Sequence, residues 1–270
     1  MLQRLAHRFF QAMDLPDSSH FSAVIDDPRF VAAIAVTVLC GIVRGFSGFG
    51  SALIYIPLVS AIYEPRAAAA SFLLIDFFCT IPFAVRLYSI SSKKEIWPLT
   101  FAAALTIPLG ALLLRVVDPV PLRWAIAAII LALVAVLVSG WRLRGAASLP
   151  LTIGVGLVSG VSGGATQLVG PFAIVYWLGS ASSAAVVRAN LVVFFALSGA
   201  ILCVTYYWQG LFPTEIVVLS LVLAAPYVAS LFAGSYFFKG SSETLYRRVA
   251  YAIVAAAALI SLPVFDGLIR

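Results

Sequence analysis

Charge is the scarcest commodity in this chain of 270 residues: only 10% are Asp, Glu, Lys or Arg, against 63% hydrophobic. A soluble domain carries about 25% charged residues, so a water-facing surface of ordinary size is excluded. Histidine is nearly absent. Its two copies, His7 and His20, both precede the first apolar block. The three cysteines, Cys40, Cys79 and Cys203, sit in apolar segments without CxxC spacing, and an odd count gives no disulfide framework. They read as small buried hydrophobes. No HExxH, GxSxG or cysteine–histidine cluster occurs, which argues against an intramembrane hydrolase or metalloenzyme and leaves no cofactor to expect. No P-loop is present either, so an ATP-driven pump would need a separate subunit. The net charge of +6 has its ordinary explanation in basic residues at helix ends facing anionic lipid, without nucleic acid.

What remains is apolar sequence in runs long enough to span a bilayer, which needs about 20 residues per helix. Eight blocks are visible, at 31–63, 67–88, 96–117, 122–141, 149–179, 183–207, 213–238 and 245–265, joined by short connectors. The expected fold is all-α and polytopic, with the lipid bilayer as its surroundings. Residues 1–30 form a separate tail. They contain no continuous apolar core of signal-peptide length, so no cleaved signal is expected. Leu2, Leu5, Phe9 and Met13 at helical spacing suggest a short interfacial helix, with a loosely ordered tail as the alternative.

Two of the blocks interrupt themselves. "GFSGFGSALIYIPLV" (45–59) lies over "GVSGGATQLVGPFAIV" (160–175), with Pro57 matching Pro171 when one gap is allowed. Further along, "TIPLGALL" (106–113) lies over "AAPYVASL" (224–231), and Arg123 over Arg247. The chain therefore divides into a first repeat, 31–141, and a second, 149–268. Each repeat has four hydrophobic blocks, the first of them broken. Counted as single crossings, the broken blocks split the basic loops between the two sides. Counted as re-entrant hairpins, they make the repeats inverted, with three crossings each. Arg86, Lys93, Lys94, Arg142, Arg144, Arg188, Lys239, Arg247 and Arg248 then share the inner side, and Arg66, Arg115 and Arg123 the outer.

The doubled glycine-rich motif followed by proline, in eight blocks arranged four plus four, resembles the TauE/SafE family of sulfite and organosulfonate transporters, also called the toluene-sulfonate uptake permease family. The resemblance runs from about residue 30 to the end. It implies a secondary transporter of a small sulfur-containing anion, sulfite or a short organosulfonate, exporting it across a bacterial cytoplasmic (inner) membrane. Thiosulfate or a small carboxylate is the alternative solute, and a non-transporting membrane scaffold the alternative class.

The residues themselves point to an anion. Broken helices free backbone N–H groups, and a half-helix N-terminus carries partial positive charge. At the first break Ser47, Gly48, Gly50 and Ser51 are candidate ligands. At the second the candidates are Ser162, Gly163, Gly164, Thr166 and Gln167. Close helix packing is the bland alternative for the glycines. Arg44 lies inside an apolar block, where an arginine costs about 2.5–3.5 kcal/mol to insert and needs a partner or a pathway. Asp76 is the only carboxylate deep within a span. The two form either a structural ion pair or an anion site with a charge partner or proton carrier. Arg188, nearer a span end, is explained first by snorkelling and second by substrate contact. Asn190 is a candidate contact whose amide should otherwise hydrogen-bond within the core.

Overall fold

A computed structural model describes residues 17–47, 50–139, 148–178, 180, 182–237 and 243–265. Every regular element among them is helical: α1 (Ser18–Ile25), α2 (Phe30–Ser47), α3 (Ser51–Ile62), α4 (Pro65–Leu87), α5 (Lys93–Val116), α6 (Pro119–Ser139), α7 (Leu149–Thr166), α8 (Gly170–Leu178), α9 (Ala184–Trp208), α10 (Thr214–Phe237) and α11 (Glu243–Ile260), then a 3₁₀ turn at Pro263–Phe265. Six of these, α4, α5, α6, α7, α9 and α10, are long and apolar enough to cross a membrane. The protein is an integral membrane protein. Outward faces are as greasy as inward ones. On α5, Trp97, Phe101, Leu105, Leu109, Leu112 and Val116 form an exposed stripe, while Ile96, Leu99, Ala103, Ile107, Ala111 and Leu114 are buried. In water such a stripe would be a liability; in a bilayer it faces acyl chains.

Residues 1–16, including the apolar series from Leu2 to Met13, lie outside the described part. Beyond them α1 starts at a capping box, with the Asp17 carboxylate accepting from the Ser19 and His20 backbone amides. Hydrogen bonds from the Ser19 hydroxyl, then from the His20 amide and ring, hold the Asp17 carboxyl down at about 2.

Both interrupted blocks fold back on themselves. α2 stops at Ser47, and α3 starts at Ser51 after Gly50, whose φ is +95°. The far ends of the two limbs meet again, with the Arg29 guanidinium 4.7 Å above the Tyr63 ring. α7 stops at Thr166, Gln167 turns left-handed, and α8 starts at Gly170. Here too the open ends are joined, by the Thr152 and Tyr176 hydroxyls at 2.6 Å.

The hairpins enter from opposite ends of the bundle. The open end of the second lies with the start of α5: Trp177 donates to Glu95 at 2.7 Å. Asn190, near the start of α9, accepts from the Ser92 amide at 2.8 Å. The open end of the first leads directly into α4, where Arg66 donates to the carbonyls of Leu114 and Arg115 at the opposite end of α5. That end also holds the Arg123 guanidinium, capped by the Ser261 carbonyl at 2.7 Å.

Small residues set the closest crossings. α7 runs alongside α5 in the same direction. A Cβ on Gly156 would strike the Leu99 carbonyl, one on Gly160 the Ala103 carbonyl, and one on Gly164 the Ile107 carbonyl. α2 runs alongside α10 in the same way, with Gly41 against Tyr227 and Ser230, and Gly45 against Leu231. Without a hydrophobic driving force between helices in lipid, such backbone approach supplies the packing. The buried apolar side chains form two cores, one around each hairpin.

Candidate functional site

The tips of the two hairpins meet. Gly50, Ser51, Ala52 and Leu53 from the first break and Gln167, Leu168, Val169, Gly170 and Pro171 from the second line one cavity of about 80 Å³. Its remaining walls come from the middle of α4 and of α9. Leu73, Phe77 and Thr80 on the one and Phe195, Gly199 and Leu202 on the other each follow an i, i+4, i+7 register, which presents a single helical face. The cavity is thus at mid-height of two long helices, at the end of each hairpin.

Arg44 reaches this cavity from the last turn of α2, where the helix C-terminus favours a cation. Its Nη1 lies 2.9 Å from Asp76 Oδ1, and the two side chains are 12% and 16% exposed. The same Nη1 donates to Ser51 Oγ at 3.3 Å, and Nη2 donates to Thr80 Oγ1 at 2.6 Å. Asp76 is braced independently. The Tyr227 hydroxyl donates to Oδ1 at 2.7 Å, and the Thr80 hydroxyl lies 3.2 Å from Oδ2. A buried ion pair repays its desolvation only when its remaining hydrogen-bonding sites are filled, and here they are filled from α3, α4 and α10.

The second break carries no charge. Ser162 Oγ donates across the turn to the Leu168 carbonyl at 3.0 Å, and Thr166 Oγ1 donates to the Ser162 carbonyl at 2.8 Å. These two hydroxyls brace the turn. Gly163 packs its Cα against Val169 within the hairpin, whereas Gly164 belongs to the crossing with α5. Tyr206 donates to the Gly164 carbonyl at 2.8 Å. Gln167 lines the cavity with a buried amide nitrogen that has no hydrogen-bond partner among the described residues. The Leu53 amide donates to the Gly50 carbonyl at 3.1 Å and Pro171 has no N–H to give; the other first-turn N–H groups of α3 and α8, at the cavity wall, have no acceptor within their own helices.

Of the residues singled out from sequence, Arg44, Gly50, Ser51, Asp76 and Gln167 line the cavity together. Gly48 lies outside the described residues, as does the side chain of Ser47. Arg188 is exposed near the start of α9. Asn190 is fully buried elsewhere, between the Ser92 amide and the Glu95 carboxylate, which its Nδ2 approaches to 3.2 Å. It ties α9 to the start of α5, as the reading of a core hydrogen bond expects, and does not line the cavity. Sequence reasoning passed over Thr80 and Tyr227, the other two members of the Arg44–Asp76 cluster. A lone threonine or tyrosine in an apolar helix gives no signal of its own. Only the packing of α4 against α10 assigns them a role.

Among the described residues no group of His, Cys, Asp and Glu could hold a metal ion. No curated protein and no solved structure matches the chain. A family model described as "Sulfite exporter TauE/SafE" matches residues 33–260, which include both helix breaks and the whole cavity lining. The chain therefore belongs to the TauE/SafE family, a family of membrane transporters and not of enzymes.

Proposed function

We propose that the protein is a secondary transporter that exports a small sulfur oxoanion, sulfite or a short organosulfonate, across a bacterial cytoplasmic membrane. The observation that carries this reading is the convergence of two helix breaks and a buried arginine on one small cavity. Backbone N–H groups and a fixed positive charge replace part of an anion's water shell there. A space of about 80 Å³ has room for a few water-sized groups. That suits a compact head of sulfur and three oxygens and leaves little space for a long substituent.

The two halves act as inverted repeats, 31–141 and 149–268. The support is the opposed entry of the hairpins, the matched α5–α7 and α2–α10 crossings, and the shared register of α4 and α9 at the cavity. In such an arrangement the site stays fixed while access alternates between the ends of the bundle. Asp76 is the charge partner of Arg44 in the empty site. An anion that takes Arg44 strips the carboxylate of its strongest donor, and proton uptake by Asp76 then restores the balance.

The test is initial flux in liposomes containing the purified protein, over a panel of sulfite, short sulfonates, thiosulfate and lactate. Sulfite or a short sulfonate is expected to move fastest and to saturate. Preference for lactate, or no flux of any of these ions, would overturn the assignment. A thiosulfate preference that disappears when Cys40, Cys79 and Cys203 are replaced by serine would point to a thiol-dependent path instead. A second expectation concerns the turn itself. Gly163→Leu places bulk against Val169 inside the second break, so it should abolish flux while the protein still inserts at near-normal yield. Full flux in that variant would reduce the motif to packing.

A further inference from the structure

Gln167 is held in two unfavourable states at once. It is the only non-glycine residue with positive φ among the described residues, at φ 58° and ψ 7°. L side chains adopt that region at a cost because Cβ crowds the backbone. The first break makes its own left-handed turn at Gly50, where no such cost arises. Gln167 is also only 8% exposed, with its amide nitrogen buried and unpartnered among the described residues. The Tyr206 oxygen beside that amide gives its own proton to the Gly164 carbonyl and can accept at most one of the two amide N–H groups, which leaves the other free. Glycine at position 167 would remove both penalties. A glutamine kept there, at the wall of a cavity, is the kind of retained strain that marks a functional position. The orphaned hydroxyls elsewhere, such as Ser159 and Ser198, are a weaker signal. They sit in regular helix, where a carbonyl one turn back is within reach.

Arg44, on the opposite wall, is already engaged by Asp76, Thr80 and Ser51. Both breaks offer first-turn N–H groups, but among the residues lining the cavity the side-chain donor without a hydrogen-bond partner is the Gln167 amide on the second break, whose last torsion is soft enough to turn it into the cavity. We infer that Gln167 is the first ligand of the transported anion. The ion docks on the Gln167 amide and the α8 N-terminus while Arg44 remains paired with Asp76, and it reaches Arg44 only when that pair opens. This rests on the cavity being the anion site and adds which wall receives the ion. It also narrows the ligand. The Gln167 amide nitrogen and the α8 N–H groups are donors, so this wall suits an oxoanion with at least two oxygens free to accept, such as a sulfonate or the sulfite dianion. An uncharged amide also lets the ion leave, which a transporter requires.

The experiment compares the parent protein with Gln167→Gly and Gln167→Asn, reading the unfolding midpoint with and without sulfite in detergent, and the half-saturation of sulfite flux in liposomes. Gln167→Gly is expected to raise the ligand-free midpoint by roughly 2–4 °C, as strain is released. It should raise half-saturation about tenfold or more and abolish the sulfite-dependent rise in midpoint. Gln167→Asn keeps an amide and tolerates the left-handed turn, so it should retain part of the affinity. If the parent carries sulfite and Gln167→Gly carries it with unchanged half-saturation, the assignment of Gln167 is overturned and the cavity reading stands. If the parent neither carries nor is stabilised by sulfite or any short sulfonate, the cavity reading fails and this assignment falls with it.

Discussion

Arg44→Ala is expected to reduce sulfite flux per folded protein by at least about 30-fold. Truncating one partner of a buried, hydrogen-bonded charge pair costs about 2–5 kcal/mol, and every 1.4 kcal/mol is a factor of ten. Here the loss falls on the anion, since Arg44 is the only cation among the residues lining the cavity. Arg44→Lys keeps the charge but not the planar fork that meets two oxygens at once, so it should keep part of the flux. Asp76 supplies the matching control. The charged and titratable groups facing it are Arg44 on α2, Tyr227 on α10 and Cys79 on its own helix, with the Thr80 hydroxyl alongside. Asp76→Asn should remove the pH dependence of flux and leave sulfite binding measurable by the same thermal shift. Unchanged pH dependence, with a lower yield of protein, would make Asp76 a structural partner only. Normal flux in Arg44→Ala would refute the anion site at this position outright.

Gly164→Leu is expected to prevent the fold from forming. A Cβ there would overlap the Ile107 carbonyl and lie 2.7 Å from the Ala111 nitrogen, and Gly110 faces the same crossing with its own backbone against Val161. No rotamer change relieves a clash between two backbones, so α5 and α7 would have to separate along the most extensive helix contact among the described residues. The measurement is the yield of monodisperse protein in mild detergent, together with its helix content. Gly154→Leu is the internal control. It is on the same helix, and a Cβ there meets nothing within 4 Å, so that variant should accumulate normally. Equal yields from the two would mean that the crossing tolerates separation and that its glycines have some other purpose.

The membrane setting, the two interrupted blocks and the Arg44–Asp76 pair were all readable in the sequence, for one physical reason. Each is a departure from what lipid tolerates cheaply. An arginine, a lone carboxylate or a run of glycines in an apolar block stands out against its background, and the cost of placing it there makes it informative. Thr80 and Tyr227 gave no such contrast. Their hydroxyls are cheap in any helix, and Tyr227 finds Asp76 only because α4 and α10 pack together across 151 positions of sequence. Asn190 was legible in kind but not in place. It is conspicuous, and a buried amide needs partners, but only the packing shows that these are Ser92 and Glu95 at the start of α5. Gln167 was noticed as a polar residue within a motif. Its left-handed backbone could not be read from the letters, because glycines on either side offered cheaper places for the turn.

The crossings described above also constrain how the chain is made. α2 is clasped by α10, and α5 by α7, so each half supplies the seat for a helix of the other. When α2 leaves the ribosome, its partner is still about two thirds of the chain away. At roughly 5–20 residues per second, Arg44 waits on the order of tens of seconds before Tyr227 and the rest of α10 exist to complete its surroundings. During that interval the first hairpin has Asp76 and Thr80 from α4 as company but no seat for its glycine face. A message truncated after residue 141 would therefore yield no half-transporter. It would yield a hairpin with an unclasped edge in the bilayer, a ready target for membrane quality control. The two halves, supplied as separate polypeptides in one cell, should rescue each other.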